Sequence, residues 1–282
     1  MTGVICARIH RVQDSSAPVC IRWIMKSDFT FCKQAGLSAA IVRVACVGAF
    51  FAGFGSGAEP GTTRGIIDIN DPAMPPDAVQ LVGPAGHQMI PEESKTPTKW
   101  VFADGVFTAS PEWDSVITRE SYRDFRMHVE FSVNEVKDAT DPEKNGNSGV
   151  YIQQRYELQI LNSFDVTAED YKTSYCGSIY QFKKPDRIVN KRAGEWQSYD
   201  IVFRAARYDS DKKIENARIT AYQNGQLIHD DVAVPHKTGA GQKEGPEPRP
   251  VKLQGHHNPV RFRNVWIRKL ALDGPAKLEP HP

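Results

Sequence analysis

The residues best suited to chemistry lie in one stretch, Gly149-Val150-Tyr151-Ile152-Gln153-Gln154-Arg155-Tyr156-Glu157-Leu158-Gln159-Ile160-Leu161-Asn162-Ser163. If the chain is extended from Tyr156, a period of two puts Tyr156, Leu158 and Ile160 on a core face and Arg155, Glu157 and Gln159 on the other. Three long polar side chains in a row on a sheet can line a concave sugar site. The alternative is a solvated face with an Arg155–Glu157 ion pair of little consequence. Retaining hydrolases of ordinary glycosides need two carboxylates about 5–5.5 Å apart. The positions alternating with Glu157 are Arg155, Gln159 and Leu161, so a second acid has to come from a distant part of the chain.

A second stretch, Leu253-Gln254-Gly255-His256-His257-Asn258-Pro259-Val260-Arg261-Phe262-Arg263-Asn264-Val265-Trp266-Ile267, joins two strands through a turn that presents imidazoles. Imidazoles exchange protons near neutral pH. On extended backbone the adjacent His256 and His257 point apart, and no Cys or carboxylate stands near them at ligand spacing, which argues against zinc. Arg261 and Arg263 read as outward strand residues. No resident cofactor is expected; a divalent cation is the one alternative, with Asp138, Asp141 and Glu143 as its acidic loop and solvated charge as the plainer reading of that loop.

The elements that must position these groups are strands. Phe125, Met127, Val129, Phe131 and Val133 alternate with Arg126, His128, Glu130 and Ser132, as one buried sheet face requires. Tyr199, Ile201 and Phe203 repeat the pattern. Asn224-Gly225 between Ala217–Gln223 and Gln226–His229 is the dipeptide of a tight hairpin turn. Asn264 interrupts the last alternation and marks a bulge. Thr167 to Thr173 could make one short helix, and no other segment has a helical stripe longer than two turns. The fold expected is therefore an all-β antiparallel sandwich. Residues 59–98, rich in Pro and Gly, are expected as an irregular lead-in, with the sandwich domain over 99–282.

The 282 residues carry 35 Lys and Arg against 34 Asp and Glu. This balance argues against nucleic acid as the main partner, since phosphate binding needs a concentrated basic excess. Lys26, Lys33 and Arg43 precede the apolar run Val44 to Gly55, which ends in Ser56-Gly57-Ala58: the order of a secretory leader over residues 1–58. The run is too short to span a bilayer, so the expectation is export, secreted or periplasmic, with no stable membrane span after cleavage. Met25, just before the charged part, reads as the true start. Without residues 1–58, 224 residues remain with 29 basic against 32 acidic side chains. Cys6, Cys20, Cys32 and Cys46 leave with the leader, so Cys176 has no intrachain partner and reads as a packed thiol.

The ordered motifs SGVYIQQRYELQIL, CGSIYQFKKP, GEWQSYDIVFRA, ARITAYQNGQLIHDD and LQGHHNPVRFRNVWI, preceded by KWVFADGVFTA and ITRESYRDFRMHVEF, resemble the 3-keto-disaccharide hydrolase domain family. The resemblance runs from about Asp77 to Leu272. It implies a concanavalin A-like jelly roll and a carbohydrate substrate. It also implies that the family's sheet-face acid is Glu157, with Arg155, Gln159 and Gln153 beside it, and that its histidine turn is His256, for which His257 could substitute. Lys99, Tyr180 and Gln181 fall in matching motifs as sugar contacts. Asn162 and Gly255 stand where the family often has Asp, so no role passes to those positions.

The implied chemistry needs a single base. A ketone at C3 acidifies the C2 hydrogen; a base removes it, the glycosidic oxygen leaves C1, and water adds to the unsaturated product. In this reading Glu157 is the base, Arg155 stabilises the enolate and His256 assists the leaving group. Two rivals stand beside it. One is a non-catalytic carbohydrate-binding module using aromatic residues such as Trp100 and Trp196. The other is a conventional glycoside hydrolase with a second carboxylate near Glu157.

Overall fold

A computed structural model of the chain describes residues 73–93, 97–136 and 142–277, all within the unit Thr62–Pro282. The leader, Met25, the four leader cysteines, Asp138 and Asp141 lie outside the described residues.

The strands in chain order are β1 Val79–Gly83, β2 Gly86–His87, β3 Met89–Pro91, β4 Val101–Ala103, β5 Val106–Thr108, β6 Val116–Thr118, β7 Asp124–Ser132 and β8 Ser148–Ile152. They continue with β9 Tyr156–Ile160, β10 Gln197–Arg204, β11 Arg207–Asp209, β12 Lys212–Glu215, β13 Ala217–Gln223, β14 Gln226–Val234, β15 Lys252–Leu253 and β16 Arg261–Leu270. The larger sheet runs β14-β13-β10-β7-β16-β1-β2, with β5 on β16 and β4 on β5. The smaller sheet runs β3-β6-β15-β8-β9. Neighbours pair antiparallel throughout, as in the long β7–β10 and β7–β16 ladders. The fold is the all-β sandwich expected. Residues 59–98 depart from expectation: their described part is not an irregular lead-in, since β1 pairs with β16 and β3 with β6, so this stretch supplies strands to both sheets.

Alternation builds the core. Phe125, Met127, Val129 and Phe131 of β7 and Tyr199, Ile201 and Phe203 of β10 face Val150 and Ile152 of β8 and Leu158 and Ile160 of β9, all fully buried in one cluster. Each such side chain contributes about 1.5–3 kcal/mol by leaving water. Tyr156 packs on Phe203 with ring centres 5.8 Å apart. The Tyr199 hydroxyl crosses between the sheets and donates to the Gln159 carbonyl at 2.6 Å.

The hairpin turn falls at Asn224 and Gly225, with φ of 52° and 76°, and the bulge at Asn264, φ 45°, where the β7–β16 register shifts. The helix expected over Thr167–Thr173 does not form. The Asp170 N–H donates to Thr167 Oγ1 at 3.3 Å, a side-chain turn that competes with helix. The polar face of β7 is not solvated either. Arg126 and His128 are buried against Asp200, at 3.2 and 3.1 Å, and His128 stacks on Trp266. Burial opposes charge on His128, but the hydrogen bond to Asp200 and the Glu130 carboxylate 3.8 Å from its other ring nitrogen outweigh it and push its pKa up to about 9.

Candidate active site

Gln153 and Gln154 both have positive φ, 50° and 54°, and the Arg155 N–H donates to the Ile152 carbonyl at 3.0 Å. These are the marks of a type I′ hairpin turn between β8 and β9. Arg155 follows the turn as one extra residue before the ladder resumes at Ile152–Tyr156, so Tyr151 stands directly opposite Glu157 and Gly149 opposite Gln159. Because Leu158 and Ile160 point into the core, Glu157 and Gln159 project from the outer face of the smaller sheet, together with Tyr151. On the far side of β9, residues 177–180 run alongside as a partial further strand. Gly177 N–H donates to Gln159 O, and Tyr180 N–H to Glu157 O, each at 2.9 Å.

These groups share a cavity of about 310 Å³. Its floor is Tyr151, Glu157 and Gln159; its rim is built by Trp113, Glu143, Asn147, Tyr180, Gln181, Gln254 and His256 and by the Gly239-Ala240 backbone. Two glycines admit the Glu157 carboxyl. A Cβ on Gly149 would lie 2.5 Å from Glu157 Oε1; one on Gly239, where φ is 44°, would lie 3.2 Å from Oε2 and 2.8 Å from the Tyr180 ring. The loop carrying Gly239 is pinned to the hairpin: Thr238 N–H donates to Arg155 O, Gln242 N–H to Gln154 O, and Thr238 Oγ1 accepts from Glu157 N–H at 2.8 Å.

Burial is the main influence on Glu157 and raises its pKa from 4.5 to about 7. A hydrogen bond from the Tyr151 hydroxyl and the Lys252 ammonium pull the other way, and Glu143 adds a further push upward. Lys252, Tyr151 and Glu157 are register partners across three adjacent strands. The Lys252 ammonium lies 4.2 Å from the centre of the Tyr151 ring and 3.3 Å from Glu92. A carboxylate titrating near neutrality beside a phenol donor suits a general base.

The residues expected from the sequence divide. Glu157, Gln159, Tyr180, Gln181 and His256 meet in the cavity. Arg155 does not: it belongs to the turn, and its guanidinium binds the Lys243 and Glu247 carbonyls and Gln153 Oε1 at 2.9–3.1 Å. Gln153 is spent the same way, donating to Tyr122 O at 2.7 Å. His257 is exposed, φ 60°, with Nδ1 3.3 Å from the Pro111 carbonyl, and Lys99 pairs with Glu112 at the surface, off the cavity wall. Trp100 is buried against Phe107 and Phe262, while the Arg263 guanidinium lies 4.0 Å over the Trp196 ring. Neither tryptophan is in the wall. Cys176 is buried beside the Tyr199 hydroxyl at 3.3 Å, and burial raises its pKa, as a packed thiol requires.

The sequence reading missed Tyr151, Trp113, Asn147 and Gln254, and it took Glu143 as solvated loop charge or part of a cation site rather than as an acid of the cleft. The chain therefore has a second acid in the cleft: the 3₁₀ turn Pro142–Lys144 brings Glu143 to the rim, and Tyr180 donates to it at 3.4 Å. Among the described residues no group of three His, Cys, Asp or Glu is placed to hold a metal ion, and no helix is long and apolar enough to cross a membrane.

A solved structure from Parabacteroides distasonis ATCC 8503, provisionally assigned as a glycosyl hydrolase, is 29% identical, with 69% of this chain and 84% of that one covered and a TM-score of 0.62. Another from the same organism, with the same provisional assignment, is 23% identical over 68% of this chain and 99% of its own, TM-score 0.48. None of the curated proteins matches the chain significantly. The model of the 3-keto-alpha-glucoside-1,2-lyase-like domain matches residues 86–268, which include every strand from β2 to β15 and most of β16, and the chain belongs to that family.

Proposed function

We propose that this protein is a carbohydrate-active enzyme that cleaves 3-keto-glycosides, 3-keto-disaccharides among them, by elimination and hydration, with Glu157 as the base. The observation that carries the reading is a desolvated carboxyl, titrating near 7, at the floor of a cleft of sugar-ring size. Glu157 takes the C2 proton, and the electron pair moves into the C2–C3 bond as the C3 carbonyl becomes an enolate. Collapse of the enolate forms the C1–C2 double bond and expels the glycosidic oxygen, which takes a proton from His256. Water then adds across the double bond, and C2 recovers a proton. Arg155 faces away from the cleft, so the enolate's hydrogen-bond donor passes to the Tyr180 hydroxyl in the rim, which turns its proton from Glu143 to the substrate. Positioned base catalysis contributes about 10²–10⁴-fold.

A conventional glycoside hydrolase is the second reading, favoured by Glu143 sharing the cleft with Glu157. A binding module without catalysis gives no reason to hold a carboxyl at such a desolvation cost. Incubating the enzyme with 3-keto and unmodified forms of one disaccharide, with and without added divalent cation, separates the three. Cleavage of the oxidised form alone supports elimination, cleavage of both supports the acid pair, and binding without cleavage supports the module. Export through the leader at residues 1–58 completes the proposal; N-terminal sequencing of protein recovered outside the cytoplasm tests it.

A further inference from the structure

Two acceptors in the cleft wall have no donor among the described residues: Gln159 Oε1 and Gln254 Oε1. Their side chains are on residues only 1% and 8% exposed, so water does not serve them as it would at the surface, and a buried unpaired carbonyl oxygen is costly. A relay sets which end of Gln159 is open. Asn147 Nδ2 donates to the Glu143 carbonyl at 2.6 Å, which turns Asn147 Oδ1 to Gln159. Gln159 Nε2 donates to that oxygen at 3.4 Å, leaving Oε1 as the unengaged end. Gln254 is held by its backbone: its N–H donates to Gly149 O at 3.0 Å and its carbonyl accepts from Ser148 Oγ at 2.6 Å.

Added to the carboxyls of Glu143 and Glu157, these oxygens make the wall rich in acceptors, and its described residues include no Lys or Arg. The nearby Lys252 ammonium stands over Tyr151 and pairs with Glu92. Such a wall suits a ligand that brings hydrogen-bond donors and no negative charge. We propose that Gln159 and Gln254 select a neutral, hydroxyl-rich sugar ring and that the cleft rejects uronates. This rests on reading the cleft as a sugar site.

The test is calorimetry on the full chain with methyl α- and β-glucopyranoside and the corresponding methyl glucuronides, using unoxidised rings so that binding is read apart from turnover. The neutral rings are expected to bind at least about tenfold more tightly than the uronates. Gln254→Met should weaken neutral-ring binding by about tenfold, the upper end for one neutral hydrogen bond, while its thermal midpoint stays equal or rises because an unpaired buried oxygen is gone. Gln254→Leu serves as a second variant. Equal binding of uronates, unchanged affinity in the variants, or no binding of either neutral ring would overturn the selection. So would a midpoint that drops together with affinity, or a Ca²⁺- or Mg²⁺-induced midpoint shift that replaces the sugar's. Intact selectivity with no turnover of a 3-keto-glycoside would instead sink only the reaction proposed above.

Discussion

Glu157→Gln should make the protein more stable and nearly inactive, and the size of the gain should depend on pH. The carboxyl's ordinary pKa of 4.5 rises to about 7 in the fold, chiefly through burial. The folded state therefore binds its proton more tightly than the unfolded chain does. The contribution to stability is fully present below about pH 4.5 and is lost as pH rises through about 7. By pH 9 wild type has given up about 3 kcal/mol, at ~1.36 kcal/mol for each pH unit between the two pKa values. Glutamine keeps the shape and can still accept from Tyr151, yet it never ionises. Urea denaturation across pH 4 to 9 should show the variant's advantage growing from its acid-side baseline by about 3 kcal/mol, while turnover of a 3-keto-disaccharide falls about 10²–10⁴-fold. In wild type, kcat/KM should rise with pH around an apparent pKa near 7, about tenfold between pH 6 and 8. An advantage that does not change with pH would refute the desolvated carboxyl, and wild-type turnover by the variant would refute its role as base.

Gly149→Ala places a methyl 2.5 Å from Glu157 Oε1; steady-state kinetics should show a loss of about 10²-fold, the order expected for a displacement near 1 Å, with little change in Tm. Lys252→Met removes a charge that lowers the Glu157 pKa, so the acidic limb of the kcat/KM profile should move to higher pH, whereas Lys252→Arg should leave it in place. Asp200→Asn leaves the buried Arg126 and His128 without their anion; denaturation at pH 7 should show a loss of about 3–5 kcal/mol, with turnover per folded molecule retained.

Local chemistry made much of the fold legible. The alternation of β7, the Asn224-Gly225 turn and the Asn264 bulge each depend on a few adjacent residues, and all three formed as read. The turn at Gln153-Gln154 did not announce itself, because neither residue is the Gly or Asn that positive φ favours. It is held by side-chain bonds to Tyr122 and Glu92, distant in sequence. That single unseen turn removed Arg155 from the row shared by Glu157 and Gln159. Burial of Arg126 and His128 was hidden for a related reason: alternation tells which residues share a face, not whether that face meets water. Glu143, Trp113 and Gln254 reach the cleft through loops, whose paths no periodicity records.

The most direct measurement follows a deuterium placed at C2 of a 3-keto-disaccharide. Proton abstraction by Glu157 predicts a primary kinetic isotope effect on cleavage and a product that carries solvent hydrogen at C2. Cleavage that leaves the deuterium in place and shows no such effect would mean that the C2–H bond never breaks, and the Glu143–Glu157 acid pair would become the better account of the cleft.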